Sequence, residues 1–298
     1  MCKLRILEID KGRGGDVMKG KALSRKQKNI ILSVVAILIA CVMLFPIYWI
    51  VVSSFKNDAE IFASPPTFIP KIFNFSSYTD QFTGENSILV AFGNSCKIAV
   101  TSMVLACILA IPAAYGLARF RMRGKRLFIM SFLVTQMLPV TLILTPMFLV
   151  YKNMQLLDTP FAPIISDTTI SVPFVILILR TYFLGLPKEL EDSAKIDGCN
   201  TFTAFIRIML PISYPGIIMT AAFSFLFAWG DLAYSLTFIS TAEKRTMTAG
   251  IYNFMGKYGI QWNKIMAYGV LLVTPVVLIF IFLQKYIVGG LTNGSVKG

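Results

Sequence analysis

Apolar positions along the chain gather into six long, nearly uncharged runs, at about 30–54, 88–118, 127–150, 163–184, 212–236 and 265–284. Each is long enough for an α-helix to cross a bilayer, which takes about 20 residues. The pattern predicts an all-α, polytopic membrane protein of six transmembrane helices. The membrane domain covers 29–287, between a polar tail at 1–28 and a short tail at 288–298. Along the second run Ser102, Ala106, Ala110, Ala114 and Ala118 recur every four residues. Such a ladder lets another helix backbone approach closely, so this span is expected at the centre of the bundle. Every span contains or begins with proline: Pro46, Pro112, Pro139 and Pro146, Pro173, Pro215, Pro275. Proline frees backbone carbonyls that must be satisfied by neighbouring helices or a water-lined cavity, which suits bent helices around a pathway. The ladder and the bent spans together lead us to expect a second, pseudo-symmetric subunit.

Between the fourth and fifth runs the pattern changes. Residues 185–211 read as two short amphipathic helices. Pro187 suits a first helical turn, and Glu189, Glu191 and Asp192 follow where the helix N-terminus favours negative charge. Leu190 and Ala194 share a face, and Gly198 stands where a helix ends in a left-handed residue. Asn200 or Thr201 can cap the second helix, with Phe202, Phe205, Ile206 and Met209 at i, i+3, i+4 and i+7.

Composition sharpens this picture. Only 14% of the 298 residues are charged, against roughly a quarter in soluble domains. The net charge of +13 sits largely in segments outside the spans: nine Lys/Arg in 1–28 and five in the loop from Arg119 to Arg126. The positive-inside rule then places both termini, the Arg119–Arg126 loop and the 185–211 segment in the cytoplasm. The outer loop 237–264, with Lys244, Arg245, Lys257 and Lys264, is a mild exception. The first span is too long for a signal-peptide core and is expected to remain as an anchor.

Absent residues narrow the chemistry. With no His and five irregularly spaced Cys, neither a metal site nor a disulfide framework is expected. Residues 15–21 nearly match a P-loop, but Ala22 stands where Ser or Thr must bind magnesium and no strand precedes it. No row of intramembrane Asp, Glu and His offers a proton relay. Arg180 can snorkel to the cytoplasmic interface and Lys97 sits near an interface. Trp229 and Asp231, near the outer end of the fifth span, are the candidates for lining a pathway, with interfacial or packing roles as the alternative. The chain thus reads as a transport pathway without its own energy source, and not as an enzyme. The acidic double helix at 185–211 becomes the natural docking site for an external engine, held in a groove of a soluble partner.

The segment from Asp192 to Pro211 resembles the coupling-loop motif of ABC importer permeases: Glu-Ala-Ala, three residues, Gly, nine residues, Ile, one residue, Leu-Pro. Asp192, Ser193 and Ala194 stand in the first three positions, and Gly198, Ile208, Leu210 and Pro211 match in register. Asp replaces Glu and Ser replaces the first Ala, so a contact of the family's Glu is expected to shift or to pass to Glu191. The Arg119–Arg126 loop, Leu157-Asp158-Thr159, Pro187-Lys188-Glu189-Leu190, the Trp229–Asp231 region and the ending from Gly290 to Gly298 are similar to the carbohydrate-uptake branch, specifically the maltose-permease G-type subunit.

This resemblance implies an importer in the bacterial cytoplasmic membrane. It would comprise two permeases as a heterodimer, two cytoplasmic ATPase subunits that bind ATP and magnesium, and an extracytoplasmic solute-binding protein. It also implies that Gly294, Ser295, Val296, Lys297 and Gly298 reach the ATPases. The expected cargo is a sugar, an oligosaccharide in the first instance, moved by alternating access. Two other readings stay open: the same importer for a polar solute such as a phosphorylated polyol, and a self-sufficient secondary carrier.

Overall fold

The computed structural model describes residues 25–83, 87–256 and 259–292. Two compact units are present, Met1–Tyr48 and Trp49–Gly298. Helix α1 (Arg25–Ser54) supplies all of the first unit's described residues, and its side chains from Ile30 to Ile47 are exposed and almost wholly apolar. In the second unit, short helices α2 (Asp58–Ile61) and α3 (Ser76–Thr79) precede the first long element, α4 (Ile88–Arg119). The Ser87 hydroxyl caps α4 by accepting the Leu89 amide at 3.3 Å.

The third expected span is not one helix. It breaks into α5 (Lys125–Met137) and α6 (Val140–Asn153), bent by 96°. Pro139 explains the break. It cannot donate a backbone hydrogen bond, and it pushes the preceding Leu138 into an extended conformation, ψ 125°.

Helix α7 (Phe161–Gly185) lies along α4 and builds the core with it. The ladder predicted in the second span is the contact: Ser102, Ala106, Ala110 and Ala114 are fully buried and Ala118 nearly so. The Ser102 hydroxyl donates to the Ile164 carbonyl at 3.3 Å. From the α7 side Val175, Leu179 and Phe183 fill the groove that the alanines leave. Central placement of the second span is thus observed. The ladder's use is different from that expected, because it is consumed within this chain and is not left free for a second subunit.

The segment after α7 folds as α8 (Glu189–Ile196), then α9 (Thr201–Ala204), a π-turn (Phe205–Met209) and α10 (Leu210–Ile212). Helix α11 (Tyr214–Trp229) follows at a 75° bend. It is shorter than the 212–236 run. The chain turns at Gly230 and restarts as α12 (Ala233–Phe238), because both Asp231 carboxylate oxygens accept amides of that new helix, from Tyr234 at 3.1 Å and Ser235 at 2.9 Å. Helix α13 (Met247–Gly250), an antiparallel pair β1 (Met255–Gly256) and β2 (Gly259–Ile260), and α14 (Trp262–Thr292) complete the chain. Among the described residues α1, α4, α7 and α14 are long and apolar enough to cross a membrane, and the two bent pairs bring the number of possible crossings to six.

Candidate functional site

The 185–211 segment packs under the ends of α4 and α7. Gly198 has φ +87° and closes α8 as anticipated. Its amide donates to the Lys195 carbonyl at 3.1 Å, and that of Cys199 to the Ala194 carbonyl at 2.9 Å. This pair of bonds satisfies the last carbonyls of the helix and turns the chain sharply. Asn200, not Thr201, caps the next helix, its side-chain oxygen accepting the Thr203 amide at 2.7 Å.

The two helices have distinct faces. Ala194, Ala204, Phe205 and Met209 are buried against the bundle. Glu189, Asp192, Ser193 and Lys195 point away from it, together with Ile196, 86% exposed, and Phe202, 73% exposed. Ile208 and Leu210 are half-buried, and Pro211 is exposed. The regular stripe expected in the second helix is therefore broken: Phe205 and Met209 point inward while Phe202 and Ile206 do not. The π-turn over Phe205–Met209 alters the 3.6-residue period on which the stripe relied.

Glu191 is the main departure. Grouped by sequence with the docking acids, it turns inward instead. Its carboxylate lies 2.6 Å from Arg119 Nε, with both side chains largely buried (6% and 11% exposed). The Arg119 Nη2 also donates to the Leu186 carbonyl at 2.9 Å. Tyr115, one turn earlier on α4, meets the ring of Phe205 at 4.6 Å with a 34° tilt and meets Phe183 edge-on at 5.6 Å. Removing one partner of such a buried pair costs about 3–5 kcal/mol, since the other charge is left uncompensated. From sequence alone Arg119 stands out only as one of the five basic residues of the Arg119–Arg126 loop. Its place at the last turn of an apolar span was the available signal.

A second feature lies between α5, α7 and α11. A cleft of about 480 Å³ is lined by Gln136, Ile170, Ser171, Phe174, Phe223, Ser224, Leu226 and Phe227. Phe174 and Phe223 meet edge-on at 6.1 Å. Gln136 donates to the Ile170 carbonyl at 3.0 Å, and the buried hydroxyls of Ser171 and Ser224 have no hydrogen-bond partner within the protein. The volume lies within the range of small-molecule sites, and aromatic faces beside a few hydroxyl and amide groups suit a polyhydroxylated ring. No charged side chain is among the lining residues.

Trp229 and Asp231 do not line this cleft. Trp229 is buried in a packing cluster with Ile88, Met247 and Tyr268, and its indole NH donates to the Leu272 carbonyl at 3.3 Å. Asp231 is occupied with the start of α12. Gly294 to Gly298 lie outside the described residues. Asp167, overlooked in the fourth span, is fully buried on α7 beside Ser166, whose hydroxyl pairs with Tyr151 at 3.0 Å. A lone Asp within an apolar run was its visible mark.

Residues 102–293 match the family described as binding-protein-dependent transport system inner membrane component. The diacetylchitobiose uptake system permease protein DasC of Streptomyces coelicolor is 31% identical over 266 residues, covering 89% of this chain and 96% of that protein. The arabinooligosaccharides transport system permease protein AraQ of Halalkalibacterium halodurans is 31% identical over 262 residues, 87% of this chain and 93% of that one. In fold, the chain superposes with TM-score 0.74 and 22% identity on a chain from a bacterial ABC transporter involved in the import of the acidic polysaccharide alginate, covering 89% of this chain and 99% of that one.

Proposed function

Because the chain belongs to the family of binding-protein-dependent transport system inner membrane components, we propose that it is the permease subunit through which an oligosaccharide enters the cell, driven by ATP hydrolysis in a partner. The observation that carries the sugar reading is the cleft of Phe174, Phe223 and Phe227 with Gln136, Ser171 and Ser224. Aromatic rings cover the apolar faces of a sugar, while hydroxyl and amide groups meet its hydroxyls. The relatives' substrates, diacetylchitobiose and arabinooligosaccharides, support the same class. A phosphorylated polyol would call for a cation at the cleft, and its lining has none. Phe174 and Phe227 reach the chain's surface, so a second permease would close the wall and complete the pathway.

The outward face of the 185–211 segment is the docking site for the ATPase in this reading. Ile196 and Phe202 enter a groove of the partner, and Asp192 and Glu189 meet its basic rim. Gly198 keeps this face in place, and Ile208, Leu210 and Pro211 lead back into the membrane. ATP and magnesium are then held by the ATPase. The segment and both termini are cytoplasmic, and the loops carrying Asp158 and the β-hairpin face the binding protein.

The test is reconstitution of the chain in liposomes with a second permease, an ATPase and a solute-binding protein encoded beside it. Oligosaccharide accumulation that needs both ATP and the binding protein is expected, with Phe174→Ala or Phe227→Ala slowing uptake. Accumulation by the chain alone on an ion gradient would overturn the reading.

A further inference from the structure

We infer that Arg119 is a positioning residue that makes the end of α4, the end of α7 and the coupling helix α8 move as one body. The inference rests on the coupling-loop reading above and concerns how motion leaves that loop, not where the ATPase binds.

Three observations converge on one side chain. The guanidinium contacts Glu191 in the first turns of α8 at 2.6 Å, and it donates to the Leu186 carbonyl at the C-terminal cap of α7 at 2.9 Å. Arg119 is itself the last residue of α4, whose C-terminal part is packed on α7 through the ladder alanines. A planar, permanently charged fork can hold two acceptors at once in a fixed geometry, which a lysine ammonium on a flexible stem does less well. Tyr115 adds a parallel link, because its ring rests on Phe205 of the second coupling-loop helix and on Phe183 of α7.

The other ion pair on α8 is of a different kind. Asp192 and Lys195 lie 3.9 Å apart and both are well exposed, so they are free to exchange partners when a groove closes over them. Adjacent acids thus face opposite ways: Asp192 toward the site of the incoming force and Glu191 toward the element that receives it. Only Glu191 and Ala194 of α8 are buried, so without the Arg119 link the small side chain of Ala194 is the one buried anchor left on this helix, and α8 could tilt without moving α4.

The experiment uses the reconstituted importer and reads three quantities: permease in the membrane, ATPase bound to it, and solute moved per ATP hydrolysed. Arg119→Gln leaves a buried carboxylate unpaired and is expected to lower the amount of folded protein. The informative variant is R119M/E191M, which removes both charges and keeps side-chain volume, a change that buried pairs often tolerate. Expected for it are native membrane levels and bound ATPase, with solute per ATP down at least about fivefold, the lower end of ordinary inter-site coupling. R119K should recover part of that ratio. A native ratio in R119M/E191M overturns the inference. So does loss of ATPase binding there, since the pair would then serve only the loop's shape. Ile196→Ser with Phe202→Ser separates the two ideas. If that pair releases the ATPase while R119M/E191M transports normally, only the positioning role fails. If it leaves binding and uptake unchanged, the coupling-loop reading itself fails.

Discussion

At the scale of single residues, conformation and charge decide what each position tolerates. Gly198 sits at φ +87° with nothing within 4 Å of where a Cβ would stand. The penalty for Gly198→Ala is therefore conformational and not steric, about 1–2 kcal/mol. Gly198→Asn should cost less, since Asn tolerates the left-handed region. In uptake assays the order glycine, asparagine, alanine is expected, and equal activity of all three would contradict it. Asp158 is a second such position. It accepts the Ser240 and Thr241 amides, the Thr241 hydroxyl at 2.7 Å and the Lys244 ammonium at 2.8 Å. Lys244, then Thr241, hold its carboxyl well below the usual carboxylate range. A lowered folded-state pKa means that the stabilisation is present above the unfolded value of about 3.9 and is lost as pH falls through the folded value. Asp158→Asn should then reduce stability at pH 7 by about 1 kcal/mol after solvent screening. Thermal unfolding of the two proteins in detergent should show a gap that narrows below about pH 4. A gap independent of pH would show that the charge is not the cause.

At the scale of elements, the contact between α4 and α7 is the one on which both candidate sites depend. Ala106, Ala110 and Ala114 are fully buried, so the two helices pack closely there. Ala110→Leu inserts methylenes where there is no room, and overpacking of this kind costs about 1–3 kcal/mol. The expected result is a marked loss of folded protein in the membrane, measurable by fluorescence-detected size exclusion. Leu109→Ala, on the exposed side of the same turn, should have little effect. The bend between α5 and α6 has an equally local origin in Pro139, but its consequence is distant: it leaves Gln136 beside Ile170 at the rim of the cleft.

At the scale of the whole molecule, the chain is a multi-pass membrane permease component whose cleft opens to the chain's surface at Phe174 and Phe227. We expect it to purify as a one-to-one assembly with a second permease when the two are expressed together, as mass measurement in detergent can establish. A homogeneous, active monomer would contradict that. Because α7 occupies the small-residue ladder, the open cleft and not the ladder is the surface that calls for a second subunit.

The amino-acid sequence by itself determined the apolar runs, the central second span, the left-handed turn at Gly198 and the spacing from Asp192 to Pro211. These rest on periodicity and backbone preference, which are local properties that neighbouring residues settle among themselves. Only the tertiary structure decided that Glu191 faces Arg119 while Asp192 faces out, that Trp229 packs and Phe174 lines a cleft, and that Asp167 is buried. Those outcomes depend on side chains far apart in the chain meeting at a given angle. A single π-turn or proline bend changes that angle, and no pattern of apolar and polar letters records it.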